Sequence, residues 1–446
     1  MRVLTESVDM LVKNGMVVTV NPDFDIIENG AVAVKGGRIV YAGSADGIKE
    51  QDALRVIDAA GGIVMPGLVN THTHLPMSLF RGLADDLPLE KWLTDHIFPA
   101  EAAHINPDTV RTGTLLSCAE MLLSGTTCCC DGYFYEHAVA EAVQEAGIRA
   151  VLGQGIVDFP TPDAPDASKN VDTAMEFVSA WKNRNSRIMP SVFCHSPYTC
   201  SARTLRRAKK AARDAGVLFQ IHAAETANEA KLSGLDKDVS VIQYLADLGV
   251  LDENSLASHC VWINAVDISM LYDLGAGVSH NPESNMKLAS GIAPAPALVS
   301  AGIAVGLGTD GCASNNNLDM FEAMDFAAKL HKASTGDPTV MNAQTVIRMA
   351  TIEGARALGL DRLTGSIEKG KAADLVVINT RRPHLVPMYH PESHLVYCVG
   401  GADVSHVMVD GELLVSDGNL VNIDFQSVMA GAGKISRAVG QADKKN

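Results

Sequence analysis

The chain has 446 residues, a formal net charge of −16 and a pI near 5.3, and aromatic residues make up only 5% of it. It contains neither a long basic run nor a stretch of about 18 consecutive apolar residues, so we expect no nucleic-acid partner and no membrane segment. Its nine cysteines include no Cys-x-x-Cys pair, which indicates buried, reduced thiols in a cytoplasmic protein.

Short β-type runs occur near both ends of the chain. Those in residues 10–60 are separated by Asn-Gly and Gly-Gly pairs, which are typical of hairpin turns. Similar runs return after residue 372, and neither group is large enough to form a stable domain alone. We therefore predict one composite β-sandwich domain made of residues 1–62 and 365–446, with residues 63–364 inserted as a second domain.

The middle of the chain alternates apolar β-type runs with helix-like segments. This alternation predicts repeated βα units around a parallel sheet, and eight such units over about 300 residues favour an α/β fold of the (β/α)8 TIM-barrel type. The eight runs are Ile63–Val69, Thr126–Cys130, Arg149–Leu152, Ile188–Cys194, Val217–Ile221, Ser255–Ser258, Gly277–Ser279 and Ile303–Leu307.

The candidate metal ligands and other site residues follow five of these runs. In a barrel of parallel strands the active site forms at the carboxyl ends of the strands, so these side chains are expected to share one mouth. They are His72 and His74 after the first run, His195 after the fourth, His222 after the fifth, His259 after the sixth and Asp310 after the eighth.

Four of these residues form a plausible metal-binding set. The three imidazoles of His72, His74 and His222 and the carboxylate of Asp310 suit Zn²⁺, with Fe²⁺ as the alternative, and a bound metal would make water a nucleophile at neutral pH. A two-metal site would want a Lys at the end of the fourth strand, where His195 stands instead. One divalent metal per chain is therefore expected.

Hydrolysis also requires a group that moves protons, and Glu225 lies three residues beyond His222 on the loop that leaves the same strand. We interpret it as the general acid and base. His259 and His195 can then hydrogen-bond the water, the substrate or developing charge, with Asp310 helping to orient the water. His280, after the seventh run, stays ambiguous. The remaining histidines are assigned to surface or packing roles.

Six motifs, taken together, resemble the amidohydrolase superfamily and, within it, the 5-methylthioadenosine/S-adenosylhomocysteine deaminases. The resemblance covers nearly the whole chain. The motifs are PGLVNTHTH at residues 66–74, IFPAE at 97–101, HSPYTCS at 195–201, HAAET at 222–226, HNPESNMKL at 280–288, and GTDG at 308–311 followed by SNNNLDM at 314–320.

The resemblance implies roles for several of these residues. It implies metal ligands at His72, His74, His222 and Asp310, which are the residues reached above from the strand ends. It also implies proton transfer by Glu225 and substrate contacts by His195 and Glu101, with the Glu101 carboxylate accepting both ribose hydroxyls. The long segment after the first strand resembles the family's covering loop, so Leu89 and Trp92 are candidates for the apolar lining.

One departure bears on the substrate. The family often places an Arg shortly after the third strand to meet the homocysteine carboxylate, whereas this chain offers Gln154 followed by Asp163 and Asp166. We therefore expect a purine nucleoside substrate, with methylthioadenosine or adenosine favoured over S-adenosylhomocysteine. The alternatives are a guanine, 8-oxoguanine or cytosine deaminase or triazine-type hydrolase on the same scaffold, and a catalytically inactive scaffold protein. A homo-oligomer is left open.

Overall fold

The computed structural model describes residues 7–49, 53–236 and 238–443. The described strands belong to two sheets, one that nearly closes into a barrel and one that both ends of the chain build together. This arrangement confirms the expected fold class. The domain bounds at residues 62 and 364 stay a prediction, and residues 1–6, 50–52, 237 and 444–446 of those domains lie outside the described ranges.

The strands are numbered in chain order over the described residues. They are β1 Val8–Val18, β2 Ile26–Lys35, β3 Arg38–Ser44, β4 Ala53–Asp58, β5 Ile63–Pro66, β6 Leu68–Thr73, β7 Thr126–Tyr133, β8 Arg149–Ile156, β9 Ile188–Cys194, β10 Phe219–Ala223, β11 Ser255–His259, β12 Gly277–His280, β13 Val305–Leu307, β14 Leu375–Ile378, β15 Val404–Val409, β16 Glu412–Ser416 and β17 Asn419–Leu420.

The barrel consists, within the described ranges, of eight parallel strands in the order β6 to β13. Their side chains are almost all buried because helices cover the outer face, which is why the strands appear in the sequence as continuous apolar runs. The two edge strands meet where the main-chain N–H of Asp310, just after β13, donates to the carbonyl of His72 on β6 at 2.9 Å. This bond brings the two ends of the sheet together at the mouth.

The first predicted barrel strand, Ile63–Val69, is in fact two strands. Ile63–Pro66 pairs with β1 and β14 of the other sheet, and Leu68 begins the barrel by pairing with β7. The chain crosses between the sheets at Gly67, where an added Cβ would lie only 2.0 Å from Thr127 Oγ1. The prediction of one strand was wrong because an apolar run alone does not show that its two halves pair with different partners.

The other sheet joins both ends of the chain. Nine strands from the described residues form it, in the order β17-β16-β15-β14-β5-β1-β2-β3, with β4 paired to β1. It curls around a shared core to which β1, β2, β14 and β15 contribute Val12, Val34, Val377 and Met408. Because neither terminal segment encloses this core alone, the composite character of the sheet follows from burial.

Helices fill the connections between barrel strands. Several begin at recognisable caps, such as Asn106 before Pro107 and Ser201 before Ala202. None of the helices in the described parts of the chain is long and apolar enough to cross a membrane. Their bounds are α1 Leu89–Lys91, α2 Phe98–His104, α3 Pro107–Leu123, α4 Glu136–Ala146, α5 Asn170–Trp181, α6 Ala202–Ala215, α7 Glu229–Leu232, α8 Val241–Asp247, α9 Ala265–Leu274, α10 Pro282–Lys287, α11 Ala295–Ser300, α12 Cys312–Asn315, α13 Met320–Thr335, α14 Ala343–Met349, α15 Ile352–Ala357, α16 Pro391–Tyr397 and α17 Phe425–Asp443.

Candidate active site

Four of the predicted ligands converge at the carboxyl ends of the barrel strands. The Nε2 atoms of His72 and His74 lie 3.4 and 3.3 Å from Asp310 Oδ1, and His222 Nε2 lies 3.0 Å from His72 Nε2. His72 and His222 are on β6 and β10, and the other two lie just after β6 and β13. Residues far apart in sequence therefore present their ligand atoms to one small volume.

Outer contacts orient these ligands. His74 Nδ1 lies 2.6 Å from the carbonyl of Gly132 and His72 Nδ1 lies 3.2 Å from Ser258 Oγ. The Oδ2 atom of Asp310 accepts hydrogen bonds from the hydroxyls of Ser284, at 2.7 Å, and Ser314, at 2.9 Å. The contacts at Nδ1 of His72 and His74 direct the Nε2 atom of each ring toward the cluster, which is how metal-binding imidazoles are usually held.

The electrostatics of the cluster suit a cation. Burial lowers the pKa of His72 to about 4 and that of His222 well below its ordinary value. Burial would also lower the pKa of His74, but its hydrogen bond to Asp310 and the charge of that carboxylate raise it to about 9. His72 and His222 are therefore neutral beside the ionised carboxylate of Asp310, and a divalent metal of the zinc or iron type would displace the proton that this carboxylate holds on His74.

His259 lies at the edge of this cluster. One ligand atom each from His72, His222 and His259 lie within 4.8 Å of one another, as do those of His72, His74 and Asp310. The two groups share His72. His259 Nδ1 lies 2.8 Å from Asn285 Oδ1, and the His259 backbone adopts a positive φ of 75°. A strained backbone of this kind persists only where its surroundings hold it.

A cavity of about 380 Å³ opens beside the cluster. Among the predicted substrate-binding residues Glu101, His195, Glu225 and Trp92 line it, whereas Gln154 is absent from the described lining. The rest of the lining is mostly apolar and includes Leu89, Phe98, Tyr133, Phe134, Phe159, Pro160, Pro162, Phe193 and Leu288. A planar, largely apolar ligand with a few polar edges fits such a wall.

The comparisons with known proteins agree with this geometry. The model of the amidohydrolase family matches residues 63–414. The chain belongs to this family. A 5-methylthioadenosine/S-adenosylhomocysteine deaminase from Syntrophobacter fumaroxidans is 46% identical over 97% of this chain and 98% of its own. A 5′-deoxyadenosine deaminase from Methanosarcina mazei is 44% identical over 96% and 97%.

Among solved structures, an adenosine deaminase from Xanthomonas campestris with bound zinc superposes on this amidohydrolase with a TM-score of 0.94. The two share 37% identity, and the match covers 98% of this chain and 99% of that one. The fold of this chain therefore resembles that of a solved structure in which zinc is bound.

Two buried carboxyl groups of this amidohydrolase have altered acidity. Burial raises the pKa of Glu101 to about 7, although the hydroxyl of Tyr133, which donates to Glu101 Oε1 at 2.5 Å, opposes the shift. Burial also raises the pKa of Glu225, while the charge of His259 opposes it. Such shifts are common at catalytic sites, where groups must exchange protons near neutral pH.

The side chain of Gln154 points away from the cavity. Its Oε1 accepts from the main-chain N–H of Glu136 at 3.2 Å, and its Nε2 donates to Asp163 Oδ2 at 2.7 Å. Its neighbour Gly155 lines the cavity instead, as expected for side chains that alternate along a strand. A substrate contact by Gln154 stays a prediction. His280, left ambiguous above, is buried with its Nε2 2.9 Å from His331 Nε2.

Sequence reasoning missed the residues that support the site. Asp131, on β7, accepts from the hydroxyl of Thr73 at 2.9 Å and from the main-chain N–H of Leu75 at 2.6 Å, so it holds both neighbours of His74. Tyr133, two residues on, holds Glu101. Asp131 directly follows the second apolar run and Tyr133 comes two residues later, so the strand-end argument would have found both if it had been applied to that run.

Proposed function

We propose that this amidohydrolase removes the 6-amino group of an adenine nucleoside by metal-dependent hydrolysis and releases ammonia. The observation that carries the proposal is the convergence of Glu101, Glu225 and His195 on the cavity that His74 and Asp310 also line. The deaminases of adenine nucleosides named among its relatives support the same reaction.

We assign one divalent metal per chain to His72, His74, His222 and Asp310, with zinc as the first choice and Fe²⁺ as the alternative. The donor set and the zinc in a 37% identical structure support this assignment. When bound, the metal would activate a water molecule for attack.

Glu225 moves protons in the proposed mechanism. Its carboxyl group protonates N1 of the purine, and the resulting carboxylate takes a proton from the water whose oxygen adds to C6. Glu225 gives this proton to the amino group as the C6–N bond breaks and takes back the hydroxyl proton of the adduct, so that ammonia and the 6-oxo product leave and the carboxyl group is restored. Asp310 and His259 orient the attacking water and stabilise the charge that develops in the tetrahedral adduct. The raised pKa of Glu225, caused by burial, supports a group that can hold a proton.

The rest of the cavity would hold the nucleoside. Glu101 accepts the two ribose hydroxyls, His195 contacts the base, and Trp92 and Leu89 close the apolar side of the cavity. Trp92 is fixed for this by its indole N–H, which donates to the carbonyl of Ala84 at 3.1 Å. A substrate contact by Gln154, also predicted, would require its side-chain amide to leave Asp163, to which its Nε2 donates at 2.7 Å.

The 5′ end of the nucleoside would meet an apolar wall. Phe98 and Phe159 lie with their ring centroids 6.1 Å apart, and within the described lining of the cavity there is no Lys or Arg. One candidate cation, Lys287, lines an adjoining cavity and donates hydrogen bonds to Asp85 and Asn316. We therefore propose methylthioadenosine, 5′-deoxyadenosine or adenosine as better substrates than S-adenosylhomocysteine.

A panel of substrates tests the activity. The metal-loaded protein is offered adenosine, methylthioadenosine, 5′-deoxyadenosine, S-adenosylhomocysteine, guanine, 8-oxoguanine, cytosine and a chlorotriazine, and ammonia and chloride release are followed. We expect deamination of adenine nucleosides. Turnover of a free base or the triazine alone would favour the other amidohydrolase activities, and no turnover with metal bound would favour a scaffold protein.

We further propose that residues 1–62 and 365–446 form one folding unit and residues 63–364 the other, and that the protein works in the cytoplasm. Eight of its nine cysteines are buried and none is paired, as in a reducing compartment.

We also propose that the protein forms a homo-oligomer. Light scattering of the purified protein, which measures its mass in solution, tests this.

A further inference from the structure

A second buried carboxylate lies directly behind Glu225. Glu229 is 1% exposed and follows Glu225 by four residues, at the first position of α7. Its Oε1 accepts a hydrogen bond from the main-chain N–H of Ala224 at 3.0 Å, and its Oε2 accepts one from the main-chain N–H of Glu225 at 2.7 Å. The two carboxylate oxygens thus hold two successive main-chain N–H groups, one of which belongs to Glu225 itself.

The turn that contains Ala224 and Glu225 has a strained backbone. Ala224 has a φ of 53°, in the left-handed region that non-glycine residues rarely occupy. Its carbonyl accepts from the N–H groups of Val261, at 3.0 Å, and Trp262, at 2.8 Å, which lie on the loop that follows His259. The turn is therefore held on one side by the His259 loop and on the other by Glu229.

The burial of Glu229 is costly, so its position calls for a compensating interaction. Burial raises the pKa of its carboxyl group to about 7, while the N–H bonds from Glu225 and Ala224 oppose this shift. An apolar side chain of similar size would avoid the desolvation of a carboxylate, but it would leave two buried main-chain N–H groups without an acceptor. The hydrogen bonds from the N–H groups of Ala224 and Glu225 therefore explain why a glutamate, and not an apolar residue, occupies position 229.

We propose that Glu229 is the positioning residue of the proton-transferring Glu225. By fixing the N–H groups of Ala224 and Glu225, it directs the Glu225 side chain into the cavity beside Asp310 and keeps it there during turnover. The inference rests on the proposed function, in which Glu225 moves protons. It adds a residue that touches neither the substrate nor the metal ligands.

The variant Glu229→Gln separates positioning from packing. The amide has nearly the shape of the carboxyl group but offers one acceptor oxygen and one NH₂ donor, and the donor would face a main-chain N–H. We expect kcat to fall about 10- to 100-fold, since a displacement of about 1 Å can cost that much. KM and the metal content should change little. A residue that merely fills space would tolerate this substitution.

A double-mutant cycle decides whether the effect passes through Glu225. The variants are Glu225→Gln, Glu229→Gln and both together, measured on whichever substrate the protein turns over fastest. If Glu229 acts by placing Glu225, the double variant should be about as slow as Glu225→Gln alone. Glu283→Gln is the matched control, because Glu283 is also buried but makes its side-chain bond to Asn317, outside the described linings of both cavities.

Glu229→Asp carries the cycle if the Gln variant does not fold, because the shorter side chain keeps the charge but cannot span both N–H groups. Additive losses, or a Glu229→Gln enzyme with ordinary kcat, would overturn the inference, as would a loss explained by missing metal. A change below tenfold in Glu225→Gln alone would instead contradict the proposed role of Glu225. Absence of deamination by the metal-loaded wild type would contradict the proposed activity itself.

Discussion

Glu225 illustrates how much of a catalytic role can rest on position. The residue is 8% exposed, its carboxyl group faces the cavity, and the main chain on either side is fixed by hydrogen bonds to neighbouring loops. Burial favours the protonated form, and so does the nearby charge of Asp310, while His259 favours the ionised form. A carboxyl group balanced in this way can accept and return a proton within one catalytic cycle.

Replacement of Glu225 by Gln should therefore lower kcat by about 10²- to 10⁴-fold, the usual contribution of general acid–base catalysis. Metal content should stay the same, because Glu225 is not among the proposed ligands. Steady-state kinetics and metal analysis of the same preparation check both statements. A loss below about tenfold with metal retained would remove Glu225 from the mechanism.

The pKa of Glu101 predicts a pH dependence of substrate binding. Burial raises this pKa to about 7, so the carboxylate that would accept both ribose hydroxyls becomes protonated as the pH falls through that value. A protonated carboxyl group has lost part of its acceptor capacity. We expect kcat/KM for adenosine to decrease as the pH is lowered from about 7, in addition to any decrease caused by protonation of other residues in the site.

The matched substrate for this prediction is 2′,3′-dideoxyadenosine, which lacks both hydroxyls. The kcat/KM for adenosine divided by that for 2′,3′-dideoxyadenosine should decrease as the pH falls below about 7. In Glu101→Gln this ratio should no longer depend on pH. A ratio independent of pH in the wild-type enzyme would show that Glu101 does not bind the hydroxyls through its ionised form.

At the scale of elements, the ends of the barrel strands account for most of the site. Parallel strands must present their carboxyl ends at one mouth, so the sequence alone brings His72, His222 and Asp310 together without any distance being known. The same reasoning cannot give side-chain direction. Gln154 follows the third run as expected, yet the pleat of β8 turns its side chain toward Asp163, and Gly155 lines the cavity instead.

Sequence reasoning also stops where partners are nonlocal. The division of Ile63–Val69 between two sheets depends on β1 and β14, which are distant in the chain. The support that Glu229 gives to Glu225 depends on a strained backbone that no residue type reveals, since alanine usually avoids a positive φ. The fold class could be predicted from the periodicity and length of the apolar runs. The division of Ile63–Val69 and the contact between Glu229 and Glu225 are visible only in the structure.

The start of β8 carries the contact between barrel and terminal sheet. Arg149 donates to Asp374 through Nε at 2.8 Å and through one terminal nitrogen at 3.0 Å, and the two side chains are only 1% and 0% exposed. Arg149 is the first residue of β8, so it lies at the end of the barrel opposite the mouth. A buried pair of this kind is costly to break because the partner left behind stays charged and buried.

We expect Arg149→Met to lower the free energy of unfolding by about 3–5 kcal/mol, read from the denaturant midpoint. Adding Asp374→Asn should recover part of the loss, because the amide oxygen can still accept from the N–H of Asp410, which now bonds to Asp374 Oδ1 at 2.7 Å. Losses within about 1 kcal/mol in the single variant would show that the pair contributes little to the junction.

At the scale of the whole molecule, the metal links folding to activity. Its proposed ligands come from β6, β10 and the segment after β13, so one ion would join strands from across the barrel. A ligand that binds only the folded state stabilises it in proportion to the logarithm of its concentration over Kd. The barrel should therefore melt at a lower temperature without its metal.

Chelation should abolish deamination and lower the Tm, and refilling with Zn²⁺ should restore both. His222→Ala should behave like the chelated protein, since it removes one of the proposed ligands. His390→Ala is the control, because the side chain of His390 is 75% exposed and lies outside the described lining of the cavity. Full activity in metal-free protein, or in His222→Ala, would contradict the metal-dependent mechanism.

The cavity as a whole should select the 5′ substituent of the nucleoside. Binding S-adenosylhomocysteine would place a zwitterion against the wall around Phe98 and Phe159, and an unpaired carboxylate there costs several kcal/mol that a methylthio group does not incur. Since 1.4 kcal/mol corresponds to tenfold, kcat/KM for methylthioadenosine should exceed that for S-adenosylhomocysteine by well over about tenfold. Phe159→Arg should lower the ratio of the two kcat/KM values by supplying a cation for the carboxylate. Phe159→Leu, the control, should leave this ratio unchanged. Comparable values for the two substrates in the wild type would mean that a cation already reaches the carboxylate, and loss of the homocysteine activity in Lys287→Met would identify it.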